Sequence, residues 1–406
     1  MIWHSLDAIL LWVLWIGCFL WAAVTPFALW RALRFHKSLS IRQGDEIAFD
    51  EKALVSVLVP ARNEEQRALR FALLSILSQD YSPLEVIAVD DRSTDATYNI
   101  LCELATKENK LKVIKGVEPT NGWTGKPFAL QQALDSSKGD WILATDADII
   151  YSQEAVRVAV SHAEAGRYDA ISLLPRIDSL SFWERVFMPV FGSCMMFVLP
   201  LDRVNDPTKS AALGIGAFFM IRRQVLDRLS GFESVKSELV EDVKMAENLK
   251  KAGARLHVEH APNLLRTRMQ TDFKSIWEGF TKNIFVGARL SGFTSLLVCL
   301  ITLIFTVFPA VVAYACFIIL IFVSGDASSI HYWLAFLIPA ALTYLMQTIS
   351  FAVIDRRSDV PVWYSVTAPL GFALLAAILF NSTIKIISGK GVMWKGRRLY
   401  RQNPQL

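Results

Sequence analysis

Long apolar runs at both ends of this 406-residue chain limit what it can fold into. The first run extends from about Ile9 to Trp30, and about 20 apolar residues are enough for one helix to cross a bilayer. Three more candidate spans follow, at about 295–323, 331–354 and 362–384. The hydrophobic content of 53% exceeds that of a typical soluble chain. The sequence therefore predicts a multi-pass membrane protein.

Basic residues predict which side of the membrane the middle of the chain occupies. Four of them follow the first run directly: Arg31, Arg34, Lys37 and Arg42. The positive-inside rule assigns such residues to the cytoplasm. The run is longer than the core of a signal peptide, and no basic segment precedes it. We therefore expect residues 1–33 to anchor the chain in the plasma membrane (the inner membrane of a two-membrane cell), with residues 34–290 in the cytoplasm.

The basic C-terminal tail conflicts with a simple topology. Three complete crossings within residues 291–390 would leave the tail, residues 391–406, outside the cell, against the positive-inside rule. Either one apolar segment is re-entrant or interfacial, or the rule fails here. We favour a cytoplasmic tail, in which the stretch WKGRRLY at 394–400 suits a membrane surface.

The middle of the chain alternates apolar runs of strand length with amphipathic helical stretches, which is typical of an α/β fold. The predicted strands are 54–60, 84–91, 112–116 and 141–148, and the predicted helices cover 65–79 and begin near 95. Residues 180–204 are aromatic and rich in Met but contain charged residues and a proline. This segment is either an interfacial amphipathic helix or a helix of a soluble core.

Charge, cysteine and histidine content argue against several kinds of site. A net charge of +4 without concentrated basic patches argues against a nucleic-acid partner. The five cysteines are not at metal-ligand or CxxC spacing, so we expect reduced, buried thiols. His257 and His260 lie where a predicted strand enters a loop, and we expect no metal site there.

Carboxylates follow several predicted strands at their C-terminal ends. Asp146 and Asp148 end one strand, and alternation in an extended chain would point both the same way. Such oxygen ligands suit Mg²⁺ or Mn²⁺ together with diphosphate oxygens. Asp90 and Asp91 end a second strand. Since ligands of open α/β sheets bind at these ends, we expect the groups to converge. The alternative is ordinary turn and helix-capping chemistry.

Six segments together resemble the family 2 glycosyltransferases of GT-A fold. They are VSVLVPARNEE, VIAVDDRSTDAT, GWTGKPFALQQAL, GDWILATDADI, GIGAFFMIRR and VEDVKMAENLKKAG, in the family's order and spacing. The resemblance implies a Rossmann-like mixed α/β sheet with helices on both faces, to which transmembrane helices are added. A narrower similarity, carried by NGWTGKP, WEGFTKN and WKGRRLY, is to bacterial membrane glycosyltransferases associated with carotenoid or hopanoid lipids. It implies a lipid acceptor and a UDP-sugar donor such as UDP-glucose.

The resemblance also implies which residues bind the donor. The uridine-binding strand end is similar to the stretch containing Pro60, Ala61, Asn63 and Glu64. Asp91, with Asp90 beside it, resembles the carboxylate that contacts the nucleotide. Asp146 and Asp148 match the D-x-D that reaches the sugar nucleotide and its Mg²⁺ or Mn²⁺.

Catalytic roles follow from the same resemblance. Asp242, preceded by Glu241, matches the general base of inverting members, which deprotonates the acceptor hydroxyl. Acidic residues also favour the first turn of a helix, which is the structural alternative for this pair. GIGAFFMIRR resembles the loop and strand that shape the acceptor pocket, and its alternative is a tight turn before a buried strand.

Two basic residues are further candidates for contact with the donor. Lys126, in NGWTGKPFAL, is not a P-loop lysine because Pro127 replaces the hydroxyl residue that should follow. It is either a contact to the nucleotide or diphosphate, or a surface lysine before a helix. Arg268 is either a partner of the departing diphosphate or a solvated arginine.

The predicted function is inverting transfer of one sugar from a nucleotide-sugar to a membrane lipid. A processive polysaccharide synthase is disfavoured because the family's Q-x-x-R-W motif is missing. A transporter is disfavoured because the apolar spans carry almost no charge. A membrane protein that binds nucleotide-sugars without turnover is the remaining alternative.

Overall fold

The computed structural model describes residues 2–38, 53–120, 122–198, 201–288, 291–322, 327–389, 392–394 and 397–399. The chain forms two compact units, which are described separately. The α/β unit comprises Leu39–Asp178 and Met196–Met269. The helical unit comprises Met1–Ser38, Ser179–Met195 and Gln270–Leu406.

Helices and strands are numbered in chain order. The strands are β1 Val55–Ala61, β2 Leu84–Asp90, β3 Leu111–Lys115, β4 Trp141–Ala144, β5 Ile149–Tyr151, β6 Ala170–Leu174, β7 Arg176–Ile177, β8 Phe219–Arg222, β9 Leu256–His260, β10 Leu265–Thr267, β11 Val392–Trp394 and β12 Arg397–Leu399. The helices are α1 Ile2–Ser38, α2 Leu69–Leu77, α3 Thr97–Ala105, α4 Gly125–Asp135, α5 Ala155–Ala165, α6 Phe182–Val198, α7 Leu201–Asn205, α8 Arg223–Arg228, α9 Glu241–Lys251, α10 Phe273–Ala288, α11 Gly292–Thr302, α12 Phe308–Phe322, α13 Ala327–Arg357 and α14 Ala368–Ile387. Two 3₁₀ segments, Gly231–Val235 and Val362–Thr367, and a π segment, Leu303–Val307, complete the list.

The α/β unit is built on a seven-stranded mixed sheet in the order β3-β2-β1-β4-β8-β6-β9. Strand β1 is parallel to both β2 and β4, with Ala61 opposite Asp90 and Leu58 opposite Ala144. The carboxyl ends of these three strands therefore meet at one edge of the sheet. A second, three-stranded sheet has the order β5-β10-β7, and its strand β5 directly follows β4 in the sequence. The fold confirms the predicted mixed α/β class.

The central strands are apolar along their whole length because both of their faces are covered. Six of the seven residues of β1 are buried, and so are all four of β4, as parallel strands between helices require. Helix α2 packs against this core through Leu69, Leu73 and Ile76, which recur at helical spacing. The predicted helix over 65–79 is therefore present but shorter, since the residues before Leu69 form turns.

The strand predicted over 141–148 differs from the structure. It ends at Ala144, and residues 145–148 form the connection to β5. The hydroxyl of Thr145 donates a 2.7 Å hydrogen bond to the Ala217 carbonyl, which fixes the start of this connection. Asp146 and Asp148 thus lie in a turn, where short acidic side chains are common, and not in an extended strand. Strand alternation therefore does not determine the direction of these two side chains, because the strand is shorter than the predicted 141–148.

The helical unit contains four helical segments that are long and apolar enough to cross a membrane. They are Ser5–Phe27, Gly292–Phe322, Ala327–Arg357 and Val362–Ile387, which match the four predicted runs. These segments indicate a membrane protein. Arg42 and most of the predicted basic tail lie outside the described residues.

One backbone carbonyl joins three of these helices. Pro309 has no N–H, so it cannot satisfy the Phe305 carbonyl one helical turn earlier. The indole of Trp21 on α1 donates a 3.0 Å hydrogen bond to this oxygen, and the Gln347 amide on α13 donates another at 3.3 Å. In apolar surroundings an unsatisfied carbonyl is costly, and these two donors remove that cost.

Helix α13 runs antiparallel to the segment α11–α12. Gln347 meets Phe305, while residues nearer the start of α13, such as Ala340, pack with Ala313 further along α12. The C-terminal end of α13, at Arg357, therefore lies at the same end of the helical unit as Gly292, where α11 begins.

The last apolar segment enters and leaves the helical unit at one end. The Val366 carbonyl accepts a 2.8 Å hydrogen bond from Tyr344, which is about 20 Å from Arg357 along α13. The chain has therefore returned to the middle of the unit before α14 begins. Helix α14 then runs back beside α11: the thiol of Cys299 donates to the Ala376 carbonyl, and a methyl group on Gly292 would collide with Ile387. This geometry supports the re-entrant alternative.

Helix α6 packs with the apolar helices. Val190 forms a buried cluster with Phe351 and Ala368, and the rings of Phe187 and Phe191 contact Phe280 of α10. These contacts lie within the helical unit, so they favour the interfacial alternative for α6 over a soluble core helix.

Cysteine labelling tests the re-entrant segment. In a chain whose five native cysteines are replaced, single cysteines at Ser358 and Ser388 should react with an impermeant maleimide from the same side of the membrane. A cysteine at Ser328, before the α13 crossing, should react from the opposite side. Intact cells and inverted vesicles give the two sides. Labelling of Ser388 together with Ser328 would show instead that residues 362–387 cross the membrane completely.

Candidate active site

The end of β1 is tied to the segment after β2 by hydrogen bonds. Asn63 has a left-handed backbone (φ 49°), which short polar side chains tolerate. Its N–H donates to the Ser93 hydroxyl at 3.0 Å, and its side-chain oxygen accepts the Thr94 N–H at 2.9 Å. The Glu64 N–H donates to the Thr97 hydroxyl at 2.8 Å. Pro60 and Ala61, in the last positions of β1, lead directly into this segment.

Asp90 and Asp91 lie at the same edge, and both are buried. The Asp91 N–H donates to the Ala61 carbonyl at 2.7 Å, which places this residue beside the end of β1. Its carboxylate accepts two hydrogen bonds from the Arg92 guanidinium, at 2.8 and 3.0 Å. A methyl group on Gly116, after β3, would lie only 2.7 Å from the Asp90 carbonyl oxygen. Three neighbouring strand ends are thus closely packed.

The two carboxylates of the D-x-D turn have different cationic partners. Asp146 forms an ion pair with Lys126, with 2.7 Å between Oδ1 and Nζ. Asp148 lies 3.4 Å from the guanidinium of Arg67, which also lies 3.6 Å from Glu64. Arg67 was missed at the sequence level, because an arginine before a helix carries no distinctive signal. It connects the strand end at Glu64 to the D-x-D turn.

Lys126 is the centre of a cluster of charges. It lies in the first turn of α4, and its ammonium contacts Glu241 Oε1 at 2.7 Å as well as Asp146. Burial would lower the pKa of Lys126, but the charges of Asp146, Glu241 and Asp242 outweigh this effect and raise that pKa well above its usual value. Lys126 is therefore a fixed positive charge and not a surface lysine.

Asp242 is held by the backbone on two sides. One carboxylate oxygen accepts the Gly216 N–H at 2.8 Å, and the other accepts its own helix's Val243 N–H at 2.8 Å. Burial and the charge of Glu241 raise the pKa of Asp242 to about 6, although Lys126 opposes the shift. Both acids begin helix α9, as the structural alternative requires, so the capping and chemical interpretations are compatible.

Gly216 lies between these charged groups. A methyl group on it would lie 2.8 Å from Lys126 Nζ and 3.3 Å from both Asp146 Oδ2 and Asp242 Oδ2. At Gly214, a methyl group would collide with the Asp242 carbonyl. The glycines of GIGAFFMIRR therefore permit close approach, and they precede the buried strand β8. A small cavity here is lined by residues that include Lys126, Thr145, Gly216, Glu241, Asp242 and Met245.

Arg268 directly follows β10 and is exposed. Strand β10 pairs with β5 so that Thr267 lies opposite Ile149, and the Thr267 hydroxyl donates to the Asp148 carbonyl at 3.3 Å. The backbone of Arg268 is therefore next to the D-x-D turn.

A mixed α/β sheet with carboxylates and a lysine gathered beyond its strand ends is the arrangement expected of a GT-A glycosyltransferase. Residues 56–230 match the model of Glycosyl transferase family 2. The chain therefore contains a family 2 glycosyltransferase domain, and it is a glycosyltransferase, as predicted.

Curated relatives agree with this assignment. The chain is 25% identical over 278 residues to 4,4'-diaponeurosporenoate glycosyltransferase of Staphylococcus aureus strain USA300. This alignment covers 68% of this chain and 72% of that protein. It is 31% identical over 194 residues to Beta-monoglucosyldiacylglycerol synthase of a Nostoc species, covering 46% of this chain and 39% of that protein.

A solved structure supports the fold alone. The mannosyltransferase PcManGT of Pyrobaculum calidifontis, solved in complex with GDP-Man and Mn²⁺, aligns with a TM-score of 0.50 and 18% identity. The alignment covers 92% of this chain and 98% of that one.

Gly216→Ala tests the role of close approach at this site. The added methyl group must displace the Lys126 ammonium, so we expect glycosyl transfer to fall at least tenfold, or about 1.4 kcal/mol in the barrier. The midpoint of thermal unfolding should change little. Gly192→Ala is the control, because a methyl group there meets no atom within 4 Å among the described residues outside its own helix turn. Equal activity of the two variants would contradict the crowding at Gly216.

Proposed function

We propose that this protein is an inverting glycosyltransferase that moves a single sugar from a nucleotide-sugar to a membrane lipid. The observation that carries the proposal is the convergence of Asp146, Lys126 and Asp242 around Gly216. One carboxylate faces the donor side, one faces the acceptor side, and a fixed positive charge lies between them.

Asp242 is the general base. Inversion by single displacement needs one base to remove the proton of the acceptor hydroxyl. The two backbone N–H groups orient the Asp242 carboxylate, and its raised pKa of about 6 makes it a better proton acceptor than an ordinary aspartate. Glu241 is committed to Lys126, so we assign it the positioning of that lysine and not proton transfer.

Residues at the ends of β1 and β2 bind the nucleotide. Pro60, Ala61, Asn63 and Glu64 line one strand end, and Asp91 lies beside them with its carboxylate oriented by Arg92. Asp90 supports this segment from its buried position. The proposed nucleotide is uridine diphosphate, and Lys126 and Arg268 are the proposed cationic contacts of its diphosphate.

The D-x-D turn fits a divalent cation by the chemistry of its donors. Asp146 and Asp148 offer carboxylate oxygens, which Mg²⁺ and Mn²⁺ prefer, and the Asp146 side chain is 41% exposed. These two residues would hold the cation, which would neutralise charge on the departing diphosphate when bound. Lys126 and Arg67 now neutralise the same carboxylates, so each of them must exchange partners with an incoming donor.

The proposed acceptor is a lipid that reaches the enzyme from the cytoplasmic leaflet. The two curated relatives are named after lipids, one after diaponeurosporenoate and the other after a glucosylated diacylglycerol. Arg31, Arg34 and Lys37 lie in the last turns of α1, further basic residues precede the C-terminus, and Arg356 and Arg357 end α13. This distribution supports a cytoplasmic catalytic domain and tail by the positive-inside rule.

Product analysis with purified protein tests the function. With UDP-sugars and a bacterial lipid extract, release of UDP should require both the lipid and Mg²⁺ or Mn²⁺, and one sugar should be added per lipid. Asp242→Asn should lower turnover roughly 100- to 10,000-fold while donor binding persists, because the base alone is lost. Asp227→Asn, at an exposed aspartate, is the control.

The alternatives give different outcomes in the same assay. A processive synthase would yield long sugar chains, and a binding protein without turnover would retain the UDP-sugar but release no UDP. Full turnover by Asp242→Asn would remove Asp242 as the base while leaving a glycosyltransferase.

The pH dependence tests the electrostatics of the base. Since the carboxylate form of Asp242 is required, kcat/KM should fall as the pH drops through about 6. Glu241 raises this pKa and Asp146 raises it further, while Lys126 lowers it. Lys126→Met removes the lowering charge, so the acidic limb should move to higher pH. Lys138→Met, at an exposed lysine, should leave the limb in place. If the acidic limb of the pH profile does not move in Lys126→Met, then Lys126 does not influence the pKa of the base.

A further inference from the structure

Two histidines and a glutamate meet at β9, the edge strand at the opposite end of the seven-stranded sheet from β3. His257 and Glu259 are alternate residues of β9 and therefore point to the same face of the sheet. His162 comes from α5. The ligand atoms of the three side chains all lie within 4.8 Å of one another. His257 and His260 are close in the sequence, but the cluster pairs His257 with His162 and does not include His260.

The distances within the cluster match those between ligands of one metal ion. Glu259 Oε2 lies 2.9 Å from His162 Nε2 and 3.3 Å from His257 Nε2. Ligands bound about 2.0–2.2 Å from a tetrahedral ion lie about 3.3–3.6 Å apart. Small rotations of these side chains would therefore bring all three donors around one ion.

Two further observations point to a ligand. The Nε2 atom of His162 is buried, and its 2.9 Å contact with Glu259 Oε2 lacks good hydrogen-bond geometry. The ring of His257 is held by Tyr168, which stacks on it with centroids 4.5 Å apart and planes only 7° from parallel. Glu259 is 5% exposed, so its carboxylate is committed to this cluster.

We propose that His162, His257 and Glu259 form a zinc site. Two imidazole nitrogens and one carboxylate suit Zn²⁺ better than Mg²⁺ or Mn²⁺, which prefer oxygen ligands. Three protein donors leave a fourth position of a tetrahedral ion, which water would fill. The ion would join α5 to the edge strand of the sheet. It is a structural site, separate in residues and in metal preference from Asp146 and Asp148.

Metal analysis of the full chain tests the proposal. Protein purified in detergent through a tag without histidines, and dialysed against metal-free buffer after addition of Zn²⁺, should retain about one zinc per chain by mass spectrometry. Co²⁺ in its place should give the intense visible absorption of a tetrahedral centre. Removing the ion with a chelator should lower the midpoint of thermal unfolding, and adding Zn²⁺ back should restore it.

Variants identify the ligands. His162→Gln and His257→Gln should lose the retained zinc and the response of thermal unfolding to it. His260→Gln removes a histidine from the same strand and should keep both, as should Asp146→Asn with Asp148→Asn. Zinc below about one tenth per chain in the unaltered protein, or zinc retained unchanged in His257→Gln, would overturn the site. The three side chains would then be a hydrogen-bonded ion cluster. Either result leaves the glycosyltransferase proposal untouched.

Discussion

The active-site cluster depends on one ammonium group placed among three carboxylates. Asp146 and Glu241 contact Lys126 Nζ directly, and Asp242 adds its charge from the other side of Gly216. Without Lys126 these like charges would repel each other in a partly buried site, where the effective dielectric constant is low. Lys126 therefore permits Asp146 and Asp242 to come from different parts of the chain and still lie close together. Lys126 lies in the first turn of α4 and is followed by Pro127, which suits the start of a helix.

The acceptor side of the cluster is organised by helix α9. Its first turn presents Asp242 to the Gly216 N–H, and its last turn presents Lys250, whose ammonium donates to three backbone carbonyls: Val204, Asp206 and Ala211. Both ends of the segment from 204 to 216 are therefore fixed to one helix. A rigid helix that holds this loop at two points keeps Asp242, the proposed base, in place against Gly216.

Sequence reasoning reached those features that arise from local rules. In open sheets the strand ends that bind ligands meet at one edge. The polar residues after three apolar strands were expected at this edge for that reason: Asn63 with Glu64, Asp91, and the D-x-D turn. The structure has all three strand ends at one edge. The direction of the Asp146 and Asp148 side chains was not reachable in this way, since the strand gives way to a turn after Ala144. Where a strand ends is decided by hydrogen bonds from distant residues, here the Ala217 carbonyl that accepts from Thr145.

Residues whose partners are distant in sequence were missed for the same reason. Arg67 and Asp148 are ordinary residues in their own segments, and their ion pair exists because β1 and β4 are neighbours in the sheet. Three strands separate His162 and His257 along the chain, and the two residues meet because α5 packs against β6, which is the neighbour of β9 in the sheet. A sequence pattern reveals only spacing along the chain, and it therefore indicates His257 and His260 as a pair and not His162 and His257.

Paired charges also determine what an incoming donor must do at the D-x-D turn. Asp146 and Asp148 are each neutralised by a cationic side chain, so binding of a divalent cation would compete with Lys126 and Arg67 for the same oxygens. The two displaced side chains remain tethered within reach, and a diphosphate supplies new anionic partners for them. The proposed exchange would keep every charge paired: Asp146 and Asp148 would hold the cation, and Lys126 and Arg67 would hold the diphosphate. Donor and cation are therefore expected to bind more tightly together than either does alone, because each supplies the partner that the other displaces.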